Sequence, residues 1–365
     1  MSPEKAAGQP GVDLQGKLPA PAGPDGTVPS RANLQRWMRW ETGLAVLLIG
    51  TVVFGISVSS EFLSSYNLFS LGLSNGEIAI MVLPMALIVM TGEIDLSVAA
   101  NLGLSSSMVG YLWTHGWPMP GIIVTVLVLG LVLGTFNGLL VTRLGLPSLA
   151  VTIGTRILYG GIAEIILGSN IISNFPASYT NIGVTAVPHT DLSFSALVFL
   201  VLAVVVAIVL HATPLGRSIF AIGANKEAAL YAGIRVKRIK TGLFMLSGVM
   251  CALAGILYTF RLSTAEFDNG TGLELPVVAI VLFGGVSIFG GKGSMGGVVL
   301  AVLVFSGIQN VLLLTNFNQE GVGVVTGGLL LLSVLAPNIG ELRGRAVQYI
   351  DRFRRRPIAD AEPGA

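Results

Sequence analysis

A single cysteine, Cys251, in 365 residues excludes an internal disulfide framework, and its place inside an apolar segment reads as a small buried hydrophobe. Charge is scarce as well. Only 11% of residues are charged and the formal net charge is +2, a balance that points to no nucleic-acid partner. The apolar segments hold no His/Glu metal pattern and no nucleophile and base pair, which argues against an enzyme working inside a membrane. His115 and His211 are lone histidines at segment ends and read as interfacial groups. The chain also lacks a Gly-x-x-x-x-Gly-Lys-[Ser/Thr] phosphate loop and any polar domain large enough to house a nucleotide. The run from Gly290 to Ser294, Gly-Gly-Lys-Gly-Ser, has the wrong spacing for phosphate and suits a tight turn.

What the chain has in abundance is long apolar runs: hydrophobic residues make up 53% of it. A helix needs about twenty predominantly apolar residues to cross hydrocarbon, because it rises about 1.5 Å per residue and must satisfy its own backbone there. Continuous rather than alternating apolarity excludes a β-barrel. The fold expected is all-α, a polytopic membrane helical bundle of about ten transmembrane helices. Spans are predicted at 42–59, 74–90, 96–113, 120–142, 148–168, 193–212, 239–261, 272–290, 294–314 and 321–337. The second and third, and the eighth and ninth, are so closely joined that either pair can be a broken or re-entrant element.

Residues 1–40, with prolines at 3, 10, 19, 21, 24 and 29, read as a disordered tail without a cleaved signal peptide. Residues 41–338 form the transmembrane domain and 339–365 a basic tail. Lys and Arg flank alternate connections: Arg31, Arg36 and Arg39, then Arg143, the cations of residues 213–240, Lys292, and the run from Arg343 to Arg356. With ten spans, all of these fall on one side. That side is expected to be cytoplasmic, with both termini on it. The opposite face carries Trp113, His115, Trp117 and an uncharged polar stretch, residues 168–190. Asn137-Gly-Leu-Leu-Val-Thr is echoed by Asn310-Val-Leu-Leu-Leu-Thr, each followed at the same distance by a glycine, Gly154 and Gly327. Five spans apart, the copies would run in opposite directions, as inverted repeats do.

Two polar interruptions stand out. In residues 213–240, Pro214 ends the sixth span, Asn225 can cap a short helix with Glu227 in its first turn, and Gly233 can end it. So short a helix is marginal alone and needs support from its own bundle or from a partner. Glu93 and Asp95 lie in Thr91-Gly-Glu-Ile-Asp-Leu-Ser97, at the join of two apolar segments. Either they line a pathway as acceptors for hydroxyl groups, or they cap helix ends and pair with a cation such as Arg156. Glu77, Glu164, Arg261, Glu266, Asp268 and Glu274 lie near predicted ends and read as solvated or snorkelling charges. The glycines at 284, 285, 290, 291, 296 and 297 suit close helix approach or a broken helix.

The run Pro214-Leu-Gly-Arg217…Ala221-Ile-Gly-Ala-Asn225…Ala228-Ala…Gly233-Ile resembles the coupling loop of permease subunits of ABC importers for monosaccharides, the ribose, arabinose, xylose and rhamnose group. Three further stretches carry the resemblance in order. They are Gly92-Glu-Ile-Asp-Leu-Ser-Val98, Asn137-Gly-Leu-Leu-Val…Pro147-Ser-Leu-Ala-Val-Thr-Ile-Gly-Thr155, and Glu274…Gly284-Gly-Val-Ser-Ile-Phe-Gly-Gly-Lys-Gly-Ser294. Together they span the chain from about Trp40 to Pro337.

The resemblance implies a multi-pass permease of the bacterial inner membrane that is not itself an enzyme. Two permease subunits, alike or different, would sit on two ATP-binding cassette subunits, which hold the ATP and magnesium, and an extracytoplasmic binding protein would deliver the sugar. Coupling to the ATPase would fall to Gly216, Arg217, Gly223, Asn225, Glu227, Ala228, Ala229 and Gly233. The substrate pathway would fall to Glu93, Asp95, Ser97, Asn137, Thr155, Gly284 and Gly285. The commoner form of the second motif in the family has glycine in place of Glu93 and of Ala99. These departures resemble rhamnose-type permeases and make rhamnose or another deoxy sugar the leading substrate. The rival class is an ion-coupled secondary sugar transporter, with Glu93 and Asp95 as proton or sodium sites.

Overall fold

The structure, a computed structural model, describes residues 31–315 together with 321, 323–325, 327, 328 and 331. The predicted basic tail, most of the predicted tail at 1–40 and most of the tenth predicted span lie outside the described residues. Twelve helices run through residues 31–315. In order they are α1 (Arg31–Val58), α2 (Ser65–Met90), α3 (Val98–Thr114), α4 (Met119–Thr142), α5 (Ser148–Leu167), α6 (Ala177–Val184), α7 (Phe194–Ala212), α8 (Pro214–Ala224), α9 (Lys226–Tyr231), α10 (Val236–Leu262), α11 (Glu274–Phe283) and α12 (Met295–Leu314). Among the described residues the extended structure amounts to two isolated bridges, Ile172 with Ala265 and Ala186 with Ser193.

Seven of these helices are long and apolar enough to cross a membrane: α2, α4, α5, α7, α10, α12 and the part of α1 from Trp40. Helix α2 is the axis of the bundle. Its residues 78–90 are apolar on every side and all buried, the pattern of a helix surrounded by other helices. The outer helices keep one apolar face exposed, through residues such as Val53, Ile157, Ile165 and Val201. Between such helices lipid is as apolar as leucine, so association rests on close packing and hydrogen bonds.

Helices α4 and α10 show how close that packing is. Gly130, Gly134 and Gly138 fall one turn apart on α4, and a Cβ on Gly134 would run into the Phe244 carbonyl of α10. In return, a Cβ on Gly248 would strike the Gly130 carbonyl. The contacts pair 138 with 241, 134 with 244 and 130 with 248, so the two helices are antiparallel.

Several elements differ from expectation. Helix α2 begins at Ser65, where Ser64 accepts a hydrogen bond from the Asn67 N–H, so Glu77 lies three turns inside the helix instead of near its end. The eighth predicted span shrinks to α11, whose 10 residues reach only about 15 Å, half the hydrocarbon thickness. It stops because Gly284 and Gly285 turn the chain, Gly285 at φ +84°. The uncharged stretch 168–190 contains α6, whose Gly183 lies against the backbone of Phe260 and Arg261. Pro214 does not open an irregular loop. It is the first residue of α8, where its missing N–H costs nothing.

Candidate functional site

The basic interruption is a pair of helices. Thr213 is extended, α8 runs to Ala224, and Asn225 is extended again before α9. The Asn225 Oδ1 accepts from the Ala228 N–H at 2.9 Å, Glu227 occupies the first turn, and Gly233 at φ +81° ends the segment, as the sequence predicts. Ile222 of α8, Ala229 of α9 and Val236 of α10 are buried in one small apolar cluster, and the Ile234 N–H donates to the Ala229 carbonyl at 3.0 Å. The two short helices are thereby fixed to the base of α10. Arg217, Lys226, Glu227, Ala228, Leu230 and Tyr231 remain exposed, Tyr231 at 93%.

Helix α8 also meets the bundle backbone to backbone. Gly216 lies against the Leu210 carbonyl of α7, and Gly223 lies between the Met90 carbonyl at the end of α2 and the backbone of Gly291. The Gly291 N–H donates to that same Met90 carbonyl at 2.9 Å. Gly290, at φ +81°, packs on Gly92 and Gly223. Three segments far apart in sequence thus converge where no side chain fits: the end of α2, the end of α8 and the connection between α11 and α12.

A buried polar seam starts one residue beyond Gly92. Glu93 forms an ion pair with Lys240 of α10. Asp95 accepts from the Ser97 N–H at 3.0 Å, the Ser97 hydroxyl at 2.6 Å and the Ser247 hydroxyl of α10 at 2.9 Å. Ser97 in turn accepts from the Asn137 side-chain amide of α4 at 2.8 Å, and the Tyr159 hydroxyl of α5 donates to Asn137 Oδ1 at 3.2 Å. Ile94 is held by α5 through both its backbone groups: its N–H donates to the Ser148 hydroxyl at 3.2 Å, and its carbonyl accepts from the Thr152 hydroxyl at 3.3 Å. The connection 91–97 is therefore bound to α4, α5 and α10 at once.

Of the pathway residues expected from the sequence, Glu93, Asp95, Ser97 and Asn137 come together in this seam. Thr155 is buried beside it on α5, where its hydroxyl donates to the Thr152 carbonyl at 3.4 Å. Gly284 and Gly285 do not join it. Gly284 packs on the backbone of Val298, and Gly285 lies under the indole of Trp40, whose N–H donates to the Phe283 carbonyl at 3.1 Å. The cation partner of Glu93 is Lys240, not Arg156, which reaches Glu274 at 2.6 Å. Glu77, Arg261 and Glu274 are not solvated: Glu77 is buried and held by Arg261 at 3.2 Å, and Glu274 is buried against Arg156. Lys240, Ser247, Ser148 and Tyr159 complete the seam without having been marked by any motif. The one available signal was a lysine at the edge of an apolar window with a serine two turns later on the same face.

A bundle of apolar helices, with a supported pair of short basic helices packed against its central helix, defines an integral membrane permease. The chain belongs to the family described as branched-chain amino acid transport system / permease component, which matches residues 67–334. It is a multi-pass inner-membrane protein, a permease subunit of the monosaccharide-type ABC importers, and a transport component rather than an enzyme. It is similar to the autoinducer 2 import system permease protein LsrD of Yersinia enterocolitica, 30% identical over 88% of this chain and 98% of the relative. The LsrD protein of Escherichia coli K12 is 29% identical over 87% of this chain and 98% of its own length. The LsrC permease protein of the same kind of system in Salmonella choleraesuis is 31% identical over 83% of this chain and 86% of its own. No solved structure matches the chain.

Proposed function

We propose that this chain forms the membrane pathway of an ATP-driven importer and that α8 and α9 are the element on which an ATP-binding cassette subunit docks. The Lys/Arg-rich end of the bundle, carrying Arg143, Arg217, Lys226, Arg235 and Lys292, then faces the cytoplasm. A second permease subunit and an extracytoplasmic binding protein complete the assembly. The observation that carries this reading is the seating of Gly223 on the Met90 carbonyl, because a push on α8 is delivered straight to the central helix. An isolated helix of 6 residues such as α9 has no stability of its own, and its exposed Leu230 and Tyr231 offer a partner an apolar and aromatic anchor.

The solute is a small polyhydroxylated molecule. Autoinducer 2, for which the relatives are named, is the first candidate and L-rhamnose the second. Ion-coupled transport is less well supported by the geometry. Glu93 is neutralised by Lys240, and Asp95 already accepts three hydrogen bonds, so neither carboxylate is free for a travelling cation. A photo-crosslinking amino acid at Tyr231 tests the docking assignment: it should give an adduct with the ATP-binding subunit, and one at Trp117, on the opposite face, should not. Equal yields at both positions, or none at Tyr231, would refute it.

A further inference from the structure

Lys240 is buried in the second turn of α10, and the charged group beside it is Glu93, itself only 17% exposed. Seven residues further along α10, on the same face, Ser247 holds Asp95. The connection 91–97 therefore rests on α10 at two points two turns apart, one ionic and one neutral. The ionic point differs in kind. A desolvated ion pair is held strongly only while both partners are in place, since separation leaves two uncompensated charges. The neutral contact can slip or exchange with far less penalty.

The location of the pair gives this meaning. The base of α10 shares its apolar cluster with α8 and α9, so Lys240 belongs to the same rigid piece as the coupling element. Glu93 belongs to the connection that leads through Ser97 and Asn137 into α4, and through Ile94 into α5. Contact of Gly223 with Met90 can only push, because nothing in it resists separation. The ion pair can also pull.

We propose that Glu93 and Lys240 are a positioning pair that draws the connection between α2 and α3 along with the coupling element, so that displacement of α8 and α9 reaches the interior of the bundle in both directions. This rests on the reading of α8 and α9 as the ATPase docking element. Demonstrating such a path requires coupling between the sites, not proximity alone.

The test uses the full complex in proteoliposomes, with Cys251→Ser to remove the one native thiol and Ala100→Cys, half-buried in the first turn of α3, as reporter. The rate of maleimide labelling at position 100 is compared between nucleotide-free and vanadate-trapped states. The parent should show a difference of at least about fivefold, the lower end for coupled sites. Glu93→Gln and Lys240→Met should lose that difference while the complex still hydrolyses ATP, and the exchange Glu93→Lys with Lys240→Glu should restore it. Glu93→Asp, which keeps the charge but shortens the reach, serves if either single variant fails to insert, and it should show a reduced difference. A full difference in the single variants, or none in the parent, overturns the positioning role. Absence of ATP hydrolysis in the parent complex would instead overturn the docking reading itself.

Discussion

Asp95 is a carboxylate buried beneath the surface with three hydrogen bonds and no cation, and its donors are as buried as it is. Replacing it by alanine leaves the Ser97 and Ser247 groups without an acceptor, at a cost of about 1–3 kcal/mol for each buried polar group left unpaired. We predict that Asp95→Ala lowers the thermal midpoint of the detergent-solubilised protein measurably and that Asp95→Asn lowers it less, because the amide oxygen still accepts. Equal midpoints for Asp95→Ala and the wild type would show that the seam contributes nothing to stability. Both acidic members of the seam were legible in the sequence, since two carboxylates at the join of apolar segments are conspicuous. Their partners were not. Lys240 sits where a boundary lysine is ordinary, and one serine in an apolar window, Ser247, carries no mark of what it touches.

At the scale of elements, two kinds of glycine do different jobs. Gly134 lets α4 approach α10, and a leucine there would meet the Phe244 carbonyl and the Met245 backbone. Overpacking of this kind costs typically about 1–3 kcal/mol, more where the obstacle is backbone. Gly134→Leu should therefore deplete folded protein in the membrane. Gly223→Val meets backbone equally closely, but at a joint between the coupling element and α2 rather than inside the bundle. It should leave the protein in the membrane, as judged by monodisperse elution, and abolish ATP-driven uptake. A Gly223→Val protein that transports normally would remove the joint from the account. The long apolar helices α4, α5, α7, α10 and α12 were predicted to within a few residues, because a continuous run of apolar side chains admits few other structures in lipid. Helix α8 was missed because a proline after a span reads as a breaker, and the same residue at the first helical position is a starter. Helix α11 was overextended because Gly284 and Gly285 are permissible in a membrane helix, and only their packing against α12 and Trp40 shows that the chain turns there.

For the molecule as a whole, the two echoing segments lie at opposite ends of the bundle. Asn137 is near the α8 side of α4, joined to Ser97, and Asn310 is near the far end of α12, where its side chain and that of Asn67 exchange hydrogen bonds at 2.9 Å. Each asparagine ties its helix to a neighbour, and the two helices run in opposite directions, the relation expected of inverted halves. The central claim is that energy enters this bundle through α8 and α9 from a separate ATP-binding subunit. The most direct measurement is uptake of labelled autoinducer 2 and L-rhamnose into two sets of proteoliposomes. One holds this chain alone under a proton or sodium gradient; the other holds the assembled complex with binding protein outside and ATP inside. The account predicts uptake of at least one solute only by the assembled complex, and only with ATP. Gradient-driven uptake by this chain alone, without ATP or a partner, would contradict it.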